Sequence, residues 1–368
     1  MKIKITILLL ITIILSGCYN YVEINNLVLV SGIGIDYENN MYNVSFETLY
    51  QDKESSDSNF EKGIIKTGNG KTLGEAFDNI TLGIEKEPYF AHLKVLVISQ
   101  SIAENHLNEI FDFFLRNNDI RNIFSIVVAD NTKPEKVLSN SDNYFPVASE
   151  KIKNLLENNV YSNYISKNKY FKNVASNYLS KDKNISLSTV TFENDELKLG
   201  RIIVFNNKKP VGSLNNDMSL ILSIIDNTKP SSLLTINYEE NKNVTIRIYK
   251  SNTKIKIMDD KFIIKNNLMA EVVENSLNIN LENTKSEYKI KKEFEDLINN
   301  KTETLVKYLQ NINSDVLGIN RMYYIKNRKK DKTYFQSRDF EIITNLEINK
   351  KGLIFEVKKW LLTSKNYQ

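Results

Sequence analysis

A single cysteine, Cys18, stands in a chain of 368 residues, and its solitude sets what can hold the fold together. One thiol cannot close an internal disulfide. A metal site needs several ligands, and beside Cys18 the chain adds only two histidines, His92 and His106. Stability must therefore come from apolar burial. With 41% hydrophobic and 10% aromatic residues the chain can build sizeable cores, and its length suggests two or three domains. Twelve glycines and five prolines argue against long flexible linkers between them.

The surroundings of Cys18, MKIKITILLLITIILSGCYN, give the thiol a different role. The apolar run from Ile5 to Leu15 contains two threonines and is too short for a spanning helix, which takes roughly 20 residues. Lys2 and Lys4 ahead of it and the small Ser16 and Gly17 behind it have the layout of a secretory signal. Leu15, Ser16, Gly17 and Cys18 resemble the bacterial lipobox, in which the cysteine receives a diacylglyceryl group and the chain is cut just before it. Two acyl chains make a durable anchor where one holds only marginally, each buried methylene being worth about 0.8 kcal/mol. The alternative is an ordinary cleaved signal with a chance cysteine. Either reading puts the mature chain outside the cytoplasm. Residues 1–17 carry two lysines away with them, so the formal charge falls from +4 to +2. That balance gives no electrostatic case for nucleic acid.

Residues 27–36 pass from an apolar run into alternation and residues 41–50 alternate again around the turn cluster 37–40, which predicts a β-hairpin. Gly32 and Gly34 lack the third glycine and the following helix of a dinucleotide site, so a bulge or close strand packing is expected. A strand near Ile64 precedes a helix over 72–84, opened by the capping-box spacing Thr72 to Glu75. A strand at 94–99, an amphipathic helix at 102–117 with Leu107, Ile110, Phe111, Phe114 and Leu115 inward, and a strand at 124–129 follow. The expected fold is α+β and multi-domain: a mixed α/β N-terminal region over 18–195, and a C-terminal domain over 196–368 with an antiparallel sheet covered by a long helix. Short strands are expected at 190–192, 202–205, 244–249, 254–257 and 269–273. The helix should run from 288 to 317, before closing strands at 340–348 and 353–362.

Several stretches carry a family resemblance: GKTLGEAF at 70–77, AHLKVLVIS at 91–99, FFLRNNDIR at 113–121, GRIIVF at 200–205, PVGSL at 210–214 and QNINSDVLG at 310–318. With the lipobox, EIN at 23–25 and GIGID at 32–36, they resemble the Ger(x)C family of spore germination lipoproteins. The chain departs from that family where Tyr19 and Asn20 replace a tryptophan and an acidic residue, and at 327–335, where NRKKDKTYF replaces a Pro/Trp-containing segment. The resemblance implies a non-enzymatic C subunit of a nutrient germinant receptor, without cofactor beyond the covalent diacylglyceryl, palmitate-type lipid and an N-acyl chain on Cys18. Integral-membrane A and B subunits are the implied partners, at the outer surface of the spore inner membrane. The alternative is an extracytoplasmic substrate-binding lipoprotein serving a transporter.

Candidate chemistry is sparse. His92 and His106 lack partners at ligand spacing, and the carboxylates at 85–87 and 293–296 read as solvated helix faces. Residues 326–332 are basic without interleaved aromatics, which suggests a solvated loop, with contact to anionic headgroups as the sharper reading. Arg116 and Arg121 either brace the helix before Phe124 or contact a partner.

Overall fold

The computed structural model describes residues 26–51, 61–141, 145–157, 162–180, 183–228, 233–239, 242–277, 279–281 and 283–350. The lipobox residues Leu15 to Cys18 and the closing strand expected at 353–362 lie outside them.

The chain opens with the antiparallel hairpin β1 (Leu27–Glu38) and β2 (Met41–Gln51). Asn39 and Asn40 at its turn have φ of 55° and 61°, the left-handed pair that matches the twist of a two-residue hairpin. β3 (Glu61–Gly70) adds to β2. Helix α1 (Leu73–Leu82) follows, with the Thr72 side chain accepting from Glu75 N at its start. The short β4 (Glu87–Tyr89) and then β5 (Val95–Ile98) pair with β1 in parallel. Next come α2 (Gln100–Asn105), α3 (Leu107–Arg116) and β6 (Ser125–Ala129). The single helix expected over 102–117 is thus two. His106 leaves helical geometry with its ring 3.9 Å from that of Tyr37, so a tertiary contact breaks what local periodicity would continue. Leu107, Ile110, Phe111 and Phe114 are inward as expected, whereas Leu115 is exposed, one position past the buried stripe.

Three helices, α4 (Pro134–Leu138), α5 (Ala148–Glu157) and α6 (Phe171–Ser180), precede β7 (Ser186–Glu193), β8 (Glu196–Asn206) and β9 (Lys209–Leu214). The first sheet has the order β3-β2-β1-β5-β6-β7-β8-β9, with β4 beside β1. Its centre, β1-β5-β6-β7, is parallel, and antiparallel hairpins flank it on both sides. Helices cover both faces. Leu96, Ile98, Ile126 and Val128 pack with α1, α2, α3 and α6, while Val95, Val97, Val127 and Ala129 pack with α4 and α5. That two-sided burial is why β5 reads VLVI without a polar residue.

After α7 (Asn216–Ile225) a second sheet forms from β10 (Leu233–Glu239), β11 (Lys242–Ile257), β12 (Lys261–Asn275) and β13 (Asp339–Lys350), in that order. The two strands expected at 244–249 and 254–257 are one, β11. Helix α8 (Thr284–Asn311) lies on the sheet and contributes Ile290, Phe294, Ile298, Leu305 and Leu309 to the core. It begins before the expected residue 288 because Asn283 Oδ1 accepts from Lys285 N and Ser286 N, and it ends at Asn311, before Asn313 turns left-handed at φ 54°. The sheet is antiparallel through β10–β12, as expected, but β13 joins β12 in parallel. A 28-residue helix carries the chain back along the sheet, so the returning strand runs in the same direction as the one before it. Helices α9 (Ile319–Asn327) and α10 (Tyr334–Ser337) lie in that crossover.

Candidate functional site

The sequence-expected residues do not converge on one place. Arg116 ends α3, its Nε donating to Asp112 Oδ1 at 2.7 Å, and its side chain is 78% exposed. With Tyr42, Leu73, Asp112 and Phe113 it lines an open groove between α1 and α3. Arg121 stands exposed in the turn before Phe124, where its carbonyl accepts from Ile123 N. His92 is exposed beside Tyr89, while His106 Nδ1 lies 3.3 Å from the Tyr42 hydroxyl. Among the described residues no group of three or more His, Cys, Asp or Glu is placed to hold a metal ion.

The segment 326–332 does more than coat a surface. It closes one side of a 140 Å³ cavity, whose other wall comes from Lys183 and Asn184, just ahead of β7, and from the β8–β9 turn. Asn320 Nδ2 donates to Lys332 O at 3.0 Å and ties the segment down, and Asp331 Oδ1 accepts from Thr333 N and Oγ1 at 2.9 Å each. Arg321 and Lys330 are exposed at the rim, with the Lys330 ammonium 5.7 Å from the Tyr324 ring centre. From the opposite wall comes Lys183, half-buried, its aliphatic stem lying over Gly318. Burial pulls the Lys183 ammonium below its ordinary pKa, against the attraction of Asp226 and Asp315.

Asp315 lies at the floor, 2% exposed. Its two oxygens accept from Ile319 N and Asn320 N at 2.8 Å each, capping α9, whose preceding residue Gly318 has φ 74° and needs no Cβ clearance. Burial pushes its pKa up to about 6, against the pull of those N–H groups. Sequence reading passed over Asp315 and Lys183, which sit in unremarkable polar stretches. The QNINSDVLG segment was the available signal.

Two further polar centres were also missed. Glu47 of β2 is fully buried and accepts from Ser31 Oγ at 2.9 Å, Ala148 N at 2.6 Å and Ser149 N at 3.1 Å, so it joins the hairpin to the start of α5. Gly63 and Gly32 leave room for its carboxylate, since a Cβ on either would stand 2.8 or 3.1 Å from its oxygens. Burial pushes the carboxyl up in pKa, against those donors. Arg201 of β8 grips Asp130 with two nitrogens at 2.8 and 2.9 Å, and Gln100 Nε2 donates to the same carboxylate at 2.7 Å. This fork ties β8 to the end of β6 and the start of α2, a brace for the sheet.

Comparison with known proteins gives these features a family context. The family model "Spore germination protein N-terminal domain" matches residues 20–192, and "Spore germination B3/GerAC like, C-terminal" matches 200–352. The chain is similar to spore germination protein B3 of Bacillus subtilis (strain 168), 25% identical over 263 residues that make up 69% of this chain and 68% of that one. It is 26% identical over 164 residues to spore germination protein KC of the same organism, covering 41% of this chain and 39% of the relative. Among solved structures, the crystal structure of the GerBC protein superposes with a TM-score of 0.52 over 86% of this chain and 96% of that one, at 16% identity. The last likeness concerns the fold.

Proposed function

The chain belongs to the Ger(x)C family of spore germination proteins, and from that premise we propose that it acts in germination as the lipid-anchored, non-enzymatic C subunit of a nutrient germinant receptor. The observation that carries this reading is the continuity of two domains of one family, matched over 20–192 and 200–352, directly behind a lipobox ending at Cys18. No helix among the described residues is long and apolar enough to cross a membrane. In this reading the lipid on Cys18 supplies the attachment, on the outer surface of the spore inner membrane.

The anchor has a physical consequence. Confining the protein to a surface raises its effective concentration beside integral-membrane A and B subunits, so modest contacts suffice for assembly. The folded domains then serve as interaction surface, and the groove beside Arg116 is one candidate contact. The test is a pull-down of the epitope-tagged full chain from detergent-solubilised spore membranes, with and without Cys18→Ala. The wild type should remain in the membrane fraction and bring down two integral-membrane proteins, and the variant should leave that fraction. A variant retained like wild type would overturn the anchor, and a membrane-bound wild type recovered without integral partners would overturn the receptor role.

A further inference from the structure

We propose that the cavity between the β8–β9 turn and α9 is a binding site for a phosphate-type oxyanion, which bridges the two halves of the molecule. Independent of the receptor reading, the proposal rests on three observations about the wall. Four cationic residues, Lys183, Arg321, Lys330 and Lys332, line a space of 140 Å³. Among the described residues, none of the four has a carboxylate within ion-pair distance, although the surface elsewhere carries many such pairs, Lys133 with Glu38 at 2.7 Å and Lys198 with Glu193 at 3.2 Å among them.

The two carboxylates in the wall are already engaged. Asp315 faces the N–H groups of Ile319 and Asn320, and Asp331 faces Thr333. The lining therefore carries an excess of cations, while the amides of Asn184 and Asn207 in the far wall already donate to Asn313 O and Asn206 Oδ1. A guanidinium beside ammonium groups favours phosphate, which takes Arg through a two-pronged contact and Lys as a point charge. The depressed ionisation of Lys183 agrees, since an entering anion would restore the charge that burial disfavours.

Position gives occupancy a consequence. The cavity lies on the seam between the halves, where Asn184 N donates to Asp315 O at 3.2 Å and Ser314 Oγ donates to Phe205 O at 2.6 Å. An anion held by Lys183 on one side and Arg321 on the other adds a bridge across that seam. The phosphoryl group can belong to a soluble molecule or to a phospholipid headgroup, and the experiment separates the two.

The full chain carrying Cys18→Ala, in detergent, is titrated calorimetrically with inorganic phosphate at ionic strength held constant with chloride. It is then floated with phosphatidylglycerol or phosphatidylcholine vesicles. Each measurement is repeated with Arg321→Ala/Lys330→Ala; both side chains are exposed, and circular dichroism checks that the fold is kept. Saturable phosphate binding weakened at least tenfold in the double variant supports the site with a soluble ligand. Silence toward phosphate, with phosphatidylglycerol flotation lost in the variant, supports it with a headgroup. Binding that the variant leaves unchanged, or no binding in either arm, overturns the proposal.

Discussion

Glu47 shows how much one side chain can hold. Its buried carboxylate is met by a hydroxyl and two backbone N–H groups rather than by an ion pair among the described residues, so truncation strands donors instead of freeing a cation. A stranded buried donor costs about 1–3 kcal/mol. Glu47→Ala should lower unfolding free energy by about 2–4 kcal/mol in urea titration, and Glu47→Gln, which keeps one acceptor, by less. Asp315 makes a pH prediction. Its folded pKa of about 6 lies above the ordinary 3.8, so its contribution to stability is full below about pH 4 and is lost as pH rises through about 6. The stability advantage of wild type over Asp315→Asn should shrink by on the order of 2–3 kcal/mol between pH 4 and pH 7, read from urea midpoints at each pH. A flat difference would mean that Asp315 does not titrate there. Neither residue announced itself in the sequence, because a lone carboxylate in a polar or alternating stretch looks the same whether the tertiary fold buries it or not.

At the level of elements, periodicity read well and boundaries less so. The hairpin, α1 and the apolar β5 were legible because their signals are local: left-handed asparagines at the turn, a cap at Thr72, and a strand covered on both faces. The break at His106 and the merger of two short strands into β11 were not, since the first depends on Tyr37 and the second on pairing with β12 along its length. Helix α8 was the strongest pattern, and its apolar face is what seals the second sheet. Phe294 is fully buried at the middle of that face. Phe294→Ala should cost about 3–5 kcal/mol through lost burial and the cavity left behind. Thermal unfolding followed by circular dichroism would register this as a large drop in midpoint, whereas exposed Tyr288→Ala on the same helix should change it little.

For the molecule as a whole, the decisive element is β8, because it serves more than one core. Ile203 and Phe205 join the core of the first half, while Ile202 and Val204 join the core built around α7 and α8. The β7–β8 turn at Asn194 and Asp195 falls where the sequence suggested a domain boundary, yet β8 and β9 beyond it complete the first sheet. By itself the sequence determined the class of elements, the solitude of Cys18 and the family, since these depend on residue order and local spacing. Only the tertiary structure decided which carboxylates are buried, that β13 runs parallel to β12, and that Lys183 faces Arg321 across a cavity. Those features join residues far apart in the chain, 78 positions between Lys261 and Asp339 and 138 between Lys183 and Arg321, and chain-local pattern holds no record of which distant surfaces pack together.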